Sequence, residues 1–381
     1  MYSKIFFGFT AVQAAIASSI GDHRHTTAVC QDYTIPVTVT SDNFPFVLPK
    51  FDTNLDVADF TTQLGRRDVA ESFIPFGAPV TETANYRISG TFCTPKNKVA
   101  GHESTVFLAS HGLGFDRRYW DASFDPKHYS FKDYVISKGY SIFFYDRLGT
   151  GSSQKVSGYT NQANIQVAIL AELASAIRLG RLTGSMGKPT AIVLVGHSFG
   201  SFISNALISA QPTVADAVIL TGISYAGGTP GVVASAFQPR IAASQSPHKW
   251  RHLDNGYVTW VDVFANINTF FKKALYDPAV AVFTEERKQP FAYSELVSLS
   301  LLNLDAGNFT GPALVLNGEY DFIACGGYCP GVLEPAARGV FRNSKSFLAY
   351  TQPGTGHGLN FHRNATGGYS VMTDFLRSNG L

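Results

Sequence analysis

The chain predicts an α/β fold: a mostly parallel central sheet with helices on both faces and an inserted helical segment. Three observations predict it. Apolar runs of strand length recur near residues 104–110, 141–145, 191–195, 217–221, 313–317 and 346–350, and runs that are apolar throughout belong to strands buried on both faces. Helix-period stretches separate them, clearest from Asn164 to Arg181, where Val167, Leu170, Leu173 and Ile177 share a face. A composition of 45% hydrophobic and 15% charged residues over 381 positions fills one large core, or a core with an accessory domain, and excludes bulk disorder.

At the N-terminus, Lys4 precedes the apolar stretch Ile5 to Val12, and Ala15-Ile16-Ala17 places small residues where a signal peptidase cuts. The stretch is too short to span a bilayer, so residues 1–17 read as a secretory signal removed near Ala17 or Ser18, and the protein as secreted. Residues 18–82 read as an N-terminal extension with an edge strand around Tyr33 to Val39; a second strand runs from Asn85 to Phe92. From about Ser41 to Thr81, Pro45, Pro49, Pro75 and Pro79 with Phe44, Phe46, Phe51 and Phe60 predict an ordered arm against the surface. Elsewhere apolar runs stop at strand length, so no integral membrane segment is expected.

The run Ala191 to Val195 leads into Gly196-His197-Ser198-Phe199-Gly200, and the helix-like Ser201 to Ile208 follows. Strand, sharp turn and helix are what a nucleophile elbow requires: small residues on either side let strand and helix crowd while the serine is pushed into a cleft. A serine hydroxyl needs a base to take its proton and a carboxylate to orient that base. Of ten histidines, His357 is best placed, in a glycine-flanked loop past the strand at 346–350, with His362 as runner-up. For the acid, Gly318-Glu319-Tyr320-Asp321 follows the strand at 313–317. Asp321 is preferred, because the first residues beyond a strand are usually consumed by the turn; Glu319 stays open as an alternative.

The order serine, acid, histidine, each just beyond a separate apolar strand, resembles the α/β-hydrolase superfamily. That resemblance implies a donor loop after an earlier strand, and His111-Gly112-Leu113-Gly114 follows the run Ser104 to Ser110. By this match the backbone N–H groups of Leu113 and Phe199 form the oxyanion hole. Asp146-Arg147-Leu148-Gly149-Thr150-Gly151-Ser152 is similar to a glycine-rich turn of the same proteins and reads as structural. It is no phosphate cradle, since no Gly-Lys-Ser/Thr follows. Serine at 198 argues against relatives with an aspartate nucleophile. The resemblance places the core at 83–223 and 309–381, and a helical cap or lid at 224–308, whose aromatics would build an apolar pocket and exclude water. Helix-period patterns there centre on 258–275 and 291–302.

Cys30, Cys93, Cys325 and Cys329 can pair in three ways. If the two N-terminal strands are neighbours, Cys30 to Cys93 is natural, leaving Cys325 and Cys329 to clamp the turn that carries Asp321. No companion ligands stand near them, so no metal is expected. Asn308-Phe309-Thr310 and Asn364-Ala365-Thr366 are glycosylation sequons. Lys plus Arg number 30 against 28 Asp plus Glu, with no basic run, so nothing favours nucleic acid as a partner. The resemblance implies a serine hydrolase cleaving an apolar carboxylic ester through an acyl-enzyme, with no cofactor, and the N-terminal signal implies its export. The same triad serves peptidases, thioesterases, acyltransferases and hydroxynitrile lyases, and the fold also serves binding modules.

Overall fold

The six apolar runs of strand length between residues 104 and 350 are all strands. A computed structural model describes residues 16–18, 27–97, 102–225 and 229–381; most of the signal expected at 1–17 lies outside these. In chain order the strands are β1 (Ile16–Ser18), β2 (Ala28–Asn43), β3 (Val80–Pro95), β4 (Thr105–Ser110), β5 (Ser141–Tyr145), β6 (Ala191–His197), β7 (Ala217–Thr221), β8 (Arg240–Ile241), β9 (Tyr257–Thr259), β10 (Phe291–Ala292), β11 (Ala313–Gly318) and β12 (Phe347–Gln352). Nine of them form one sheet in the order β1-β2-β3-β5-β4-β6-β7-β11-β12. From β5 to β12 neighbours are parallel, and β1, β2 and β3 add an antiparallel edge.

The central strands β4, β5, β6, β7 and β11 are buried along their whole length. This explains their unbroken apolar character, since helices cover both faces of a parallel sheet. One such helix, Ala163–Arg178, buries Ile165, Ile169, Leu170, Leu173 and Ile177. It stops three residues short of the expected end because Gly180 turns left-handed at φ 76°. Register then sets function: Ser110 pairs with Gly196, His197 with Thr221 and Gly318 with Gln352. The C-terminal ends of β4, β6, β11 and β12 thus meet at one edge, and the loops that leave them converge.

β2 and β3 pair over sixteen residues each, from Ala28 opposite Pro95 to Asn43 opposite Val80, so β3 is longer than the expected 85–92. This register sets Cys30 opposite Cys93, and the two are bonded; Cys325 and Cys329 form the second disulfide.

The arm between β2 and β3 is built into the protein. Thr53 and Asp56 form a capping box that starts helix Asn54–Leu64, and the helix turns Val57, Phe60 and Leu64 inward. Phe51 lies 5.2 Å from Phe60 and 5.7 Å from Tyr159, and Phe60 lies 4.9 Å from Tyr293. The Phe51 N–H donates to the Tyr159 hydroxyl at 2.8 Å.

Residues 224–308 are not purely helical, contrary to expectation. Beside helices Thr229–Phe237, Val263–Phe270, Pro278–Glu286 and Tyr293–Val297 they contain a small antiparallel sheet, β10-β9-β8. Its strands of two and three residues are too short to show a period of two. The strand β9 and the loop after it occupy the start of the expected 258–275 helix, which begins only at Val263, where Asp262 caps the N–H groups of Phe264 and Ala265.

Candidate active site

Ser198 sits between β6 and helix Phe199–Ala210 with φ 53° and ψ −120°, a backbone conformation that costs a non-glycine residue free energy. The flanking glycines follow from crowding. A Cβ on Gly200 would lie 2.0 Å from the Ser110 carbonyl oxygen, and one on Gly196 would lie 2.5 Å from Ser201 Cα. Helix and strand approach this closely only because neither position carries a side chain.

The loop after β12 brings His357 to the serine. Its Nε2 lies 3.0 Å from Ser198 Oγ, and its Nδ1 lies 2.8 Å and 2.9 Å from the two oxygens of Asp321. Nδ1 therefore carries the proton and donates to the carboxylate, which leaves Nε2 as the acceptor for the serine hydroxyl. Asp321 is fully buried, caps helix Phe322–Cys325 through the Ala324 N–H, and is held beside the Cys325–Cys329 disulfide. Glu319, the alternative acid, instead accepts from the Gly354 N–H at 2.9 Å. It steadies the histidine loop without touching the histidine.

His362, the alternative base, also serves that loop. Its Nε2 accepts from the N–H groups of Gly356 and Lys272, and its Nδ1 donates to the Gly358 carbonyl. Burial pulls its pKa down to about 4, so the ring is neutral in the folded protein.

Leu113 and Phe199 line one cavity with Ser198 and His357. As the first residue of its helix, Phe199 presents an N–H that the helix leaves unbonded, at the positive end of the helix dipole. The donor loop is held by buried polar contacts. His111 Nδ1 donates to the Gly112 carbonyl, and its Nε2 accepts from the Arg147 N–H. Burial, then the Arg147 charge, holds the His111 pKa far below the usual range.

Three participants escaped sequence reasoning. Arg147, fully buried, donates through Nε to the His111 carbonyl, stacks 4.3 Å over the Phe199 ring and ion-pairs with Glu295. Glu295, from helix Tyr293–Val297, also accepts from Gln166 at 2.8 Å; burial raises its pKa and Arg147 opposes the rise. His197 lies beside the serine, its ring stacked 4.4 Å from Tyr119 and its Nδ1 donating to Thr221 Oγ1. The Asp-x-x-Gly-x-Gly turn was the only local signal for Arg147, and partners more than a hundred residues away leave no such signal.

Phe202, Phe237, Phe270, Leu296 and Leu299 complete an apolar cavity of about 20 Å³, room for about one water. Among the described residues no cluster of His, Cys, Asp and Glu is arranged to hold a metal, and no helix is long and apolar enough to cross a membrane. Asn308 and Asn364 are both exposed, the latter with its amide nitrogen donating to the Pro353 carbonyl.

The sequence model of the alpha/beta hydrolase family matches residues 106–366. No curated protein matches the chain. Among solved structures the chain is similar to a thermophilic esterase from Thermogutta terrifontis, at 16% identity and TM-score 0.52, over 77% of this chain and 94% of that one. It is also similar to the enol-lactonase from Burkholderia xenovorans LB400, at 16% identity and TM-score 0.53, over 77% and 97%. At these identities the likeness is one of fold.

Proposed function

Because the chain belongs to the alpha/beta hydrolase family, we propose that it is a secreted serine hydrolase cleaving a carboxylic ester with an apolar portion. The observation that carries this reading is the chain of contacts from Asp321 through His357 to a strained Ser198. Ser198 Oγ attacks the ester carbonyl as His357 Nε2 takes its proton. Asp321 holds the imidazole in the required tautomer and stabilises the imidazolium. The N–H groups of Leu113 and Phe199 hold the developing oxyanion, each such donor contributing about 3 kcal/mol. His357 returns the proton to the leaving alcohol, the acyl group stays on Ser198, and a water deprotonated by His357 releases the acid. No step requires a cofactor or metal.

The domain reading accompanies this proposal: signal at 1–17, extension at 18–82, core at 83–223 and 309–381, cap at 224–308. Two disulfides support export, since such bonds persist in oxidising compartments. Cleavage at Ala17 would remove most of β1 and leave β2 as the sheet edge. Glycans at Asn308 and Asn364, both exposed, belong to the same reading.

The test is intact mass of the secreted protein before and after a fluorophosphonate probe. Stoichiometric labelling of wild type and none of Ser198→Ala is expected. An unlabelled, folded wild type would refute the activated serine.

A further inference from the structure

The cavity at Ser198 is too small for an ester, but a groove of about 950 Å³ is lined by residues next in sequence to those of the cavity. Phe73 and Ile74 of the arm, Val232 and Leu301 of the 224–308 segment, and Phe322 beside Asp321 line it. Ile74 is 67% exposed, Leu301 and Phe322 40% and Val232 37%. Large apolar side chains gathered in one concave place and facing water mark a binding surface. Arg66, the charged residue of the lining, is already paired with Asp68 at 2.7 Å.

The groove and the nucleophile's cavity both border an intermediate cleft. Phe202 and Leu299 line both the Ser198 cavity and an outer cleft of about 580 Å³, and Pro230 and Ser300 line both that cleft and the groove. Neighbours in sequence divide between the two: Val233 lines the cavity and Val232 the groove, Leu296 the cavity and Val297 the groove, Ile323 the cavity and Phe322 the groove. The arm that builds one side lies outside residues 106–366, which the family model matches.

We propose that the groove seats a long apolar tail of the ester, with the arm as a specificity element and the carbonyl reaching Ser198 past Phe202 and Leu299. This rests on the ester reading above. The chemistry selected is an uncharged alkyl or acyl chain of medium to long length, and Phe322 ties its seat directly to the residue that carries the acid.

The test uses p-nitrophenyl esters from acetate to decanoate, for an acyl tail, and alkyl acetates of matching length, for an alcohol tail. In one series kcat/KM should rise about fourfold per methylene over the first several carbons. Ile74→Asp and Leu301→Asp should each lower the long-to-short ratio at least tenfold. Leu55→Asp, on the exposed face of the arm helix away from the groove, should leave the ratio unchanged. Equilibrium binding of p-nitrophenyl decanoate to Ser198→Ala protein, weakened tenfold by adding Ile74→Asp, supports the groove independently of turnover. Acetate cleavage with flat profiles in both series overturns the groove and leaves the ester reading standing. Absence of any ester turnover, with decanoate binding intact, overturns the ester reading and leaves the groove as a site for apolar chains.

Discussion

His362 grips His357 by both of its sequence neighbours, accepting from the Gly356 N–H at 3.0 Å and donating to the Gly358 carbonyl at 2.9 Å. One buried neutral ring thereby fixes the position of another. His362→Ala should lower kcat on the order of 10²-fold with little change in KM, the cost of a misplaced base. Steady-state kinetics checks this, and activity lost through KM alone would refute the positioning role. The same ring makes stability pH-dependent. Its folded pKa, about 4, lies below the ordinary 6.5, so its contribution is complete above 6.5 and is lost as pH falls from 6.5 to 4. The loss is about 3 kcal/mol, and urea unfolding at pH 7 and pH 4 should show that much less of it in His362→Gln.

Ser198→Ala should reduce turnover about 10⁶-fold, and Asp321→Asn about 10⁴-fold by reversing the tautomer. His357→Ala should resemble the serine variant. Thermal midpoints should move little, because these residues support catalysis more than packing. Substantial turnover in His357→Ala beside an inactive His362→Ala would reassign the base.

Arg147 and Glu295 are both fully buried and separated by 148 residues. Removing either partner leaves the other charge uncompensated, so Arg147→Met or Glu295→Leu should cost about 3–5 kcal/mol in urea unfolding. The double variant should recover most of it. Additive losses would show that the pair is not a unit.

Gly222 closes β7 with φ 62°, and a Cβ there would lie 3.0 Å from Cε1 of both His197 and His357. Gly222→Ala should combine about 1–2 kcal/mol of backbone strain with a displaced base. A fall in kcat larger than that in stability is expected, checked by kinetics and thermal unfolding side by side.

The two disulfides should separate in their effects. Cys30–Cys93 closes a span of 63 residues, and its removal should cost about 4 kcal/mol. Cys325–Cys329 spans four and should cost about 2 kcal/mol. Serine pairs at 325 and 329 should lower kcat because they loosen the turn that holds Asp321. Serine pairs at 30 and 93 should lower the thermal midpoint.

Much of this arrangement was legible along the chain. Strands buried on both faces announce themselves as unbroken apolar runs, and Gly196 and Gly200 mark the crowding around Ser198 because only glycine fits there. Local grounds favour Asp321 over Glu319, and the folded chain sets Asp321 against His357 while Glu319 accepts from the Gly354 N–H. His357 and His362 could be ranked but not given distinct tasks, because both tasks depend on which backbone groups the loop brings within 3 Å.

What the sequence alone determined, then, is the sheet, the sharp turn at Ser198 and the places of Ser198, Asp321 and His357 just beyond their strands, each encoded in a few neighbouring residues. Tertiary structure decided the Arg147–Glu295 tie, the short strands β8 to β10 and the apolar groove beneath the arm. These arise from contacts between segments distant in sequence, such as Thr61 with Tyr293 and Asn54 with Ile241. A local pattern carries no trace of its partner, so only the folded chain brings those pairs together.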